Sequence, residues 1–180
     1  MIRHAIPLFC ILLLSACVSP PEGVTPVTGF DLERYLGTWY EIARLDHSFE
    51  RGLSNVTATY ERAGDGGVRV INRGYNVAEG EWEKAEGIAY FTGEPNVGSL
   101  KVSFFGPFYG GYHVIALDRE DYRWAMVSGP SRDYLWILAR ELEMHEEVYR
   151  RLVDQARGLG FPVEELIRVG HGKIAQAVVE

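Results

Sequence analysis

The sequence predicts an all-β fold, an eight-stranded antiparallel up-and-down β-barrel with one C-terminal α-helix packed on its outside. Three observations carry this expectation. Between residues 38 and 140, short stretches of β-branched and aromatic residues are divided by turn residues every 8 to 15 positions, the pattern of an antiparallel barrel or sandwich. No segment in that range has a helical period. Such a period begins only beyond it, over 144–159.

In chain order the strands fall at 38–45, 54–62, 68–75, 82–92, 99–105, 112–118, 122–128 and 134–140. Gly64-Asp65-Gly66-Gly67 and Arg119-Glu120-Asp121 suit tight hairpins, whereas 47–53 and 106–111 read as longer loops. Short and long connections then alternate, which gives the barrel one tight and one loose end. In the helix, Val148, Leu152, Ala156 and Leu159 share one face, while Glu146, Glu147, Arg150, Arg151 and Asp154 lie elsewhere. That polar side mixes acids with bases, unlike the basic face of a membrane-surface helix, so the apolar stripe is expected on the barrel wall. Gly158, Gly160 and Pro162 end the helix.

The chain starts with Arg3, an apolar run over 5–14 broken only by Pro7, and then Leu14-Ser15-Ala16-Cys17. The run is too short to span a bilayer, and with small residues before a cysteine it reads as a secretory signal. Its ending resembles the lipobox of bacterial lipoproteins, which implies removal of residues 1–16 and lipidation of Cys17. Val18 is not the aspartate that retains such lipoproteins in the inner membrane, so the resemblance implies an outer-membrane anchor facing the periplasm. Residues 17–29 are rich in Pro, Gly and hydroxyl side chains and read as a tether ahead of a single domain over 30–180.

Cys10 lies in the removed segment and Cys17 at the anchor, so the mature chain has no free thiol and no disulfide. Its core alone must hold it together. The formal charge of −7 becomes −8 once Arg3 leaves, with 17 basic against 25 acidic side chains, which argues against a nucleic-acid partner. No Ser/His/Asp or Cys/His arrangement or Gly-x-Ser-x-Gly elbow is present, and no two of the five histidines stand at a metal-ligand spacing. No catalytic residue, metal or cofactor is therefore expected.

Tyr35-Leu36-Gly37-Thr38-Trp39-Tyr40-Glu41-Ile42-Ala43-Arg44 opens the first strand, Asp121-Tyr122 precedes the seventh, and Arg140 closes the eighth. These resemble the Gly-x-Trp opening, the Thr-Asp-Tyr turn and the closing arginine of lipocalins, and 102–117 and 133–140 are similar to the bacterial outer-membrane lipoprotein branch of that family. The likeness runs from about residue 30 to residue 169. Glu120 replaces the family threonine, and the disulfides of many animal lipocalins are absent. The resemblance implies a barrel plugged at one end, where Trp39 and Arg140 form a structural clasp. A guanidinium over an indole face contributes roughly 0.5 to 2 kcal/mol.

Alternation sorts the side chains by face. Val56, Ala58 and Tyr60 share one, as do Val68 and Val70; Leu100, Val102 and Phe104; Tyr112, Val114 and Ala116; and Tyr134, Trp136 and Leu138 with Arg140. Alternation alone allows a solid core as readily as a ligand space, and the resemblance implies that these faces line a cavity. In the seventh strand, either Tyr122, Trp124 and Met126 or Ala125 and Val127 point inward. At the loose end, Arg51 and Arg132 are expected to meet a polar head group and Phe49, Phe108 and Tyr109 to cover a hydrocarbon tail. Residues 104–111, with four aromatics around three glycines, read as either a lid or a rigid turn, and His113 as an outward surface residue.

The implied function is binding and storage or transport of a lipid-like amphiphile, a lysophospholipid or fatty acid, at the outer membrane. Membrane contact runs through the N-terminal lipid, and a homodimer is left open. Two other readings stand beside it. An inward histidine or acid pair next to the cavity would favour an envelope enzyme acting on an amphiphile, and a collapsed interior would favour a purely structural lipoprotein.

Overall fold

The ring of strands closes through a short overlap of its first two members. In the computed structural model, which describes residues 18–172, the barrel consists of β1 (Gly37–Leu45), β2 (Leu53–Arg62), β3 (Val68–Asn76), β4 (Glu81–Phe91), β5 (Ser99–Phe105), β6 (Phe108–Leu117), β7 (Trp124–Ser128) and β8 (Leu135–Ala139). Each strand pairs antiparallel with the next, and β1 completes the ring by pairing with both β8 and β2. The signal segment 1–16, Cys17 and residues 173–180 lie outside the described residues.

Two short elements were not anticipated. One turn of helix, α1 (Leu32–Tyr35), precedes β1, and the Asp31 side chain accepts from the N–H of Glu33 at 2.9 Å to cap it. A ninth strand, β9 (Leu166–Arg168), pairs with Ala43, Arg44 and Leu45 of β1. The Asn55 N–H then donates to the Gly170 carbonyl at 2.9 Å. The C-terminal segment thus fills the wedge where β1 and β2 diverge beyond the Tyr40–Thr57 pair.

Connections 63–67, 92–98 and 118–123 lie at one end with α1, and 46–52, 77–80, 106–107 and 129–134 at the other. The expected alternation of short and long connections is not found. β5 and β6 pair as far as Phe105 and Phe108, leaving two residues between them, so of the two readings of 104–111 the tight turn agrees with the structure and the lid does not, and the longer loop expected over 106–111 is a hairpin tip. Its aromatics favour extended pairing over a free loop.

Four register shifts interrupt the pairing, between Glu41 and Ala43 in β1, Ser54 and Thr57 in β2, Val102 and Phe105 in β5, and Val114 and Ala116 in β6, and those in β1 and β6 change which side chains face inward. The β1 bulge turns both Glu41 and Arg44 to the interior while Ile42, Ala43 and Leu45 join the outer cluster. The β6 bulge corrects one expectation: Ala116 lies outside with Ile115, and Leu117 takes the inner face. In β7, Ala125 and Val127 point inward and Trp124 and Met126 outward.

The outer cluster is roofed by α2 (Glu146–Gly158), whose Leu152 and Ala156 are buried against Ile42, Ile115, Met126, Leu135 and Ile137. Residues 18–29, read as a tether, are also laid on the barrel. Val27 N–H donates to Val114 O at 2.8 Å, Gly98 N–H donates to Val27 O at 2.9 Å, and Val24 is buried in the outer cluster. Gly111 permits this approach, because a Cβ there would lie 3.1 Å from the Val18 carbonyl oxygen and 2.6 Å from His113 Nε2. His113 faces outward as expected but is fully buried beneath this segment instead of lying on the surface.

At the plugged end Trp39 is fully buried and donates its indole N–H to Tyr35 O at 2.8 Å. The Arg140 guanidinium lies 3.9 Å from the indole centroid and donates to Thr38 O at 2.9 Å and to Arg34 O and Leu36 O at 2.8 and 2.9 Å. Gly37 has φ +95°, and a Cβ on it would meet Arg140 Nη1 at 3.3 Å, which gives the glycine of the Gly-x-Trp sequence its physical reason. Beside this pair, Arg34 covers the Tyr122 ring at 4.2 Å, and the Tyr122 hydroxyl accepts from Asp31 N–H at 3.0 Å. Replacing Trp39 by Ala is expected to cost about 3 to 5 kcal/mol in denaturant unfolding, as a large core truncation. Unchanged unfolding with lost ligand uptake would instead make Trp39 a binding residue.

Candidate functional site

The interior is packed in its closed half and accessible in its open half. Tyr60, Val70, Leu100, Val114 and Leu138 are buried with Trp39 and Tyr35 in one cluster. Ala58, Val102, Phe104, Tyr112 and Trp136 face the same cluster but are only partly buried. Val56 is buried next to Gly74, where a Cβ would touch it at 3.3 Å. Tyr134 stands just ahead of β8 at the mouth, with its ring 6.2 Å from Trp136 and 5.7 Å from His47.

The floor of the open half is a chain of tyrosine hydroxyls. Tyr112 bonds both Tyr35 and Tyr60 at 2.7 Å, and burial pushes all three phenols above their ordinary range. They remain neutral donors and acceptors, which satisfies one another inside an apolar wall.

One wall of the interior is strongly polar, and sequence reasoning missed it. Arg44 donates to Glu41 Oε1 at 2.8 Å and to Glu50 O at 2.8 Å. Trp136 donates its indole N–H to Glu50 Oε2 at 3.0 Å, and His47 Nε2 lies 3.2 Å from the same oxygen. Glu41, Arg44, His47 and Glu50 are all buried. The only available signals were Glu41 and Arg44 inside the Gly-x-Trp strand; alternation places them on opposite faces, and only the bulge brings both inward. Residues 46–52 then fold over the mouth and carry Glu50 and His47 inside.

With two carboxyls and one guanidinium in one buried cluster, a proton is retained. Burial, and then the neighbouring Glu50 charge, push the Glu41 carboxyl up to about 8, and burial also raises Glu50. Burial, reinforced by Arg44, lowers the His47 imidazole to about 4 and keeps it neutral. Arg44 Nε, both His47 ring nitrogens and Asn72 Oδ1 are buried without a hydrogen-bond partner, an unmet polar capacity facing the interior.

The expected mouth residues separate. Arg51 is exposed at the rim and pairs with Asp46 at 2.8 Å. Arg132 does not face the mouth: it donates to Leu159 O at 2.8 Å and Glu22 O at 2.6 Å, fastening α2 and the N-terminal segment outside the barrel. Tyr109 lies on the outer face under Lys101, 4.8 Å from its ring centroid, while Phe108 is exposed at the hairpin tip.

These shifts carry a pH dependence. Folded Glu41 keeps its proton between its ordinary 4.5 and about 8, so the native state binds more protons than the unfolded chain there and loses stability as pH rises. His47 acts oppositely, adding stability as pH rises from about 4 to 6.5. The two offset one another below pH 6.5, and above it the carboxyl effect stands alone. The melting temperature is expected to fall between about pH 6.5 and 8.5 in the wild type and to stay level in Glu41→Gln. An equal fall in both would remove Glu41 as its source.

Comparison with known proteins agrees with this architecture. The Lipocalin-like domain family matches residues 30–171. Outer membrane lipoprotein Blc of Escherichia coli (strain K12) is 60% identical over 159 residues, covering 87% of this chain and 89% of that protein. The Blc protein of Vibrio cholerae is 52% identical over 162 residues, covering 90% and 95%. Among solved structures, insecticyanin from the tobacco hornworm Manduca sexta superposes with a TM-score of 0.66 at 22% identity, covering 88% of this chain and 92% of that one, a likeness of fold. The clasped barrel, the family match and the identity to the Blc lipoproteins together establish that the chain belongs to the lipocalin family.

Proposed function

We propose that this protein binds and carries a single-chain amphiphile, a lysophospholipid or fatty acid, inside the barrel while anchored to the outer membrane through Cys17. The observation that carries this reading is the two-sided interior. Val56, Ala58, Val102 and Phe104 offer an apolar surface for a tail, while Arg44, Glu50 and Trp136 offer hydrogen-bonding groups for a polar end. Each methylene moved from water into such a wall contributes about 0.8 kcal/mol, so a long chain is held without a charged anchor. The names of the Blc relatives support the membrane and the lipoprotein character.

A second reading has a specific observation behind it. Glu41 and Glu50 form an inward acid pair beside the neutral His47, the arrangement expected of an envelope enzyme doing acid–base chemistry on a bound amphiphile. Carriage is favoured because Arg44 and Trp136 already engage the carboxylates as hydrogen-bond donors. Conversion of a bound ester to products, abolished in Glu50→Gln, would reverse that preference.

Trp136 reports occupancy. Adding a long-chain lysophospholipid or fatty acid to delipidated protein is expected to change tryptophan fluorescence saturably, with affinity rising up to about tenfold for every two methylenes. Ala58→Trp or Val102→Trp is expected to weaken uptake without unfolding the barrel. A response with no saturation and no chain-length dependence would leave a structural lipoprotein. For the anchor, Cys17→Ser is expected to block processing and labelling by a fatty-acid probe, and a labelled variant would place the lipid elsewhere.

A further inference from the structure

The exposed large hydrophobic side chains are distributed unevenly between the two ends of the barrel. Phe105 and Phe108, at the tip of the β5–β6 hairpin, are 80% and 79% exposed, and Phe49 and Val77 in the neighbouring open-end connections are 58% and 60% exposed. The closed-end connections 63–67, 92–98 and 118–123 carry none among the described residues, and Leu142, 52% exposed just past β8, is the exception at that end. They hold Asp65, Glu94, Asp118, Arg119, Glu120, Asp121 and Arg123 instead. Two phenylalanines projecting fully into water on a hairpin without a charged residue from 102 to 110 are costly unless something apolar meets them.

The N-terminal segment leads to the same place. It enters the barrel wall beside Val114 at Val27 and runs along β6 toward the open end, so that the Val18 carbonyl lies against Gly111. Gly111 is three residues from Phe108, roughly 10 Å along the strand. Cys17, the attachment point of the lipid in the reading above, directly precedes Val18 in the sequence. The described chain therefore begins on the strand that leads to the hairpin exposing the phenylalanines, and not at the charged end.

We infer that the barrel docks mouth-down on the lipid leaflet that holds its anchor, with Phe105 and Phe108 inserted at the head-group level and the opening of the cavity facing the membrane. The inference rests on the lipid-anchor reading. The partner is a zwitterionic lipid surface: the hairpin tip from 102 to 110 carries no charge, while Glu79, Glu81 and Glu83 around the adjacent β3–β4 turn disfavour an anionic one. An amphiphile would then pass between leaflet and interior without crossing open solvent.

The mature chain has no thiol besides Cys17, so single cysteines can be labelled cleanly. Full-length acylated protein carrying a nitroxide at Phe108→Cys or at Asp65→Cys is reconstituted into phosphatidylcholine–phosphatidylethanolamine vesicles. The label at 108 is expected to be shielded from a water-soluble nickel chelate and accessible to oxygen, and the label at 65 to show the reverse. If both labels are equally aqueous, or the label at 65 is the shielded one, the docking is wrong. Shielding at 108 accompanied by spin–spin broadening that vanishes on dilution with unlabelled protein means that a second copy covers the hairpin, which also overturns it. Protein that fails to float with vesicles at all shows that the anchor reading has failed. As an independent check, Phe105→Ser/Phe108→Ser is expected to slow lipid uptake from vesicles about tenfold or more while leaving affinity for monomeric ligand unchanged. Unchanged uptake would sink the proposal.

Discussion

Much of this barrel follows from where strict alternation is broken. A strand that alternates without interruption presents one set of side chains to the interior, and β1 in that form would send Glu41 inward and Arg44 outward. The bulge between Glu41 and Ala43 turns both inward and leaves Ile42, Ala43 and Leu45 on the outer wall, where α2 needs an apolar surface. One extra residue thus supplies both the polar lining and part of the seat for the helix. The β6 bulge works in the same way, giving Ile115 and Ala116 to the outside and Leu117 to the plugged end.

The parts of the structure that depend on period alone were legible in the sequence. Strand number, the amphipathic helix and the inward faces of β2, β3, β5 and β8 follow from alternation, and the meeting of Trp39 with Arg140 follows from the family pattern. What escaped depends on local departures from period. Ala116 was assigned inward because a bulge leaves no composition signal, and the Glu41–Arg44–Glu50–His47 cluster was invisible because it joins a bulged strand to a folded-in loop. Arg132 read as a mouth residue because it sits in an open-end connection, but long side chains reach past their own loop, and its guanidinium finds the unpaired carbonyl at the end of α2. The Pro- and Gly-rich segment 18–29 read as a tether because it has no period, yet backbone pairing with Gly98 and Val114 needs none.

The polar wall raises the question of how a charged cluster survives in an apolar barrel. Two ionised carboxylates around one guanidinium would leave an uncompensated buried charge, which is costly. Keeping one proton on the pair leaves the cluster neutral overall, and the hydrogen bonds from Arg44 and Trp136 satisfy much of the remaining capacity. The orphaned Arg44 Nε and Asn72 Oδ1 show that the satisfaction is incomplete. A polar group entering from the mouth finds partners there that no side chain supplies.

The two hydrophobic clusters divide the work of folding from the work of binding. The outer cluster, from Ile42, Ile115, Met126 and Ile137 to Leu152, Ala156 and Phe161, lies behind the sheet and shares no side chain with the interior cluster. The plugged end is likewise complete without a ligand, since Trp39, Arg140, Tyr35 and Tyr122 satisfy one another. The open half can therefore stay loosely packed, with Trp136, Val102 and Phe104 partly exposed, at little cost to the fold. A solid interior would gain stability and lose capacity. By placing its close packing behind the sheet and at one end, the barrel can fill and empty without unfolding.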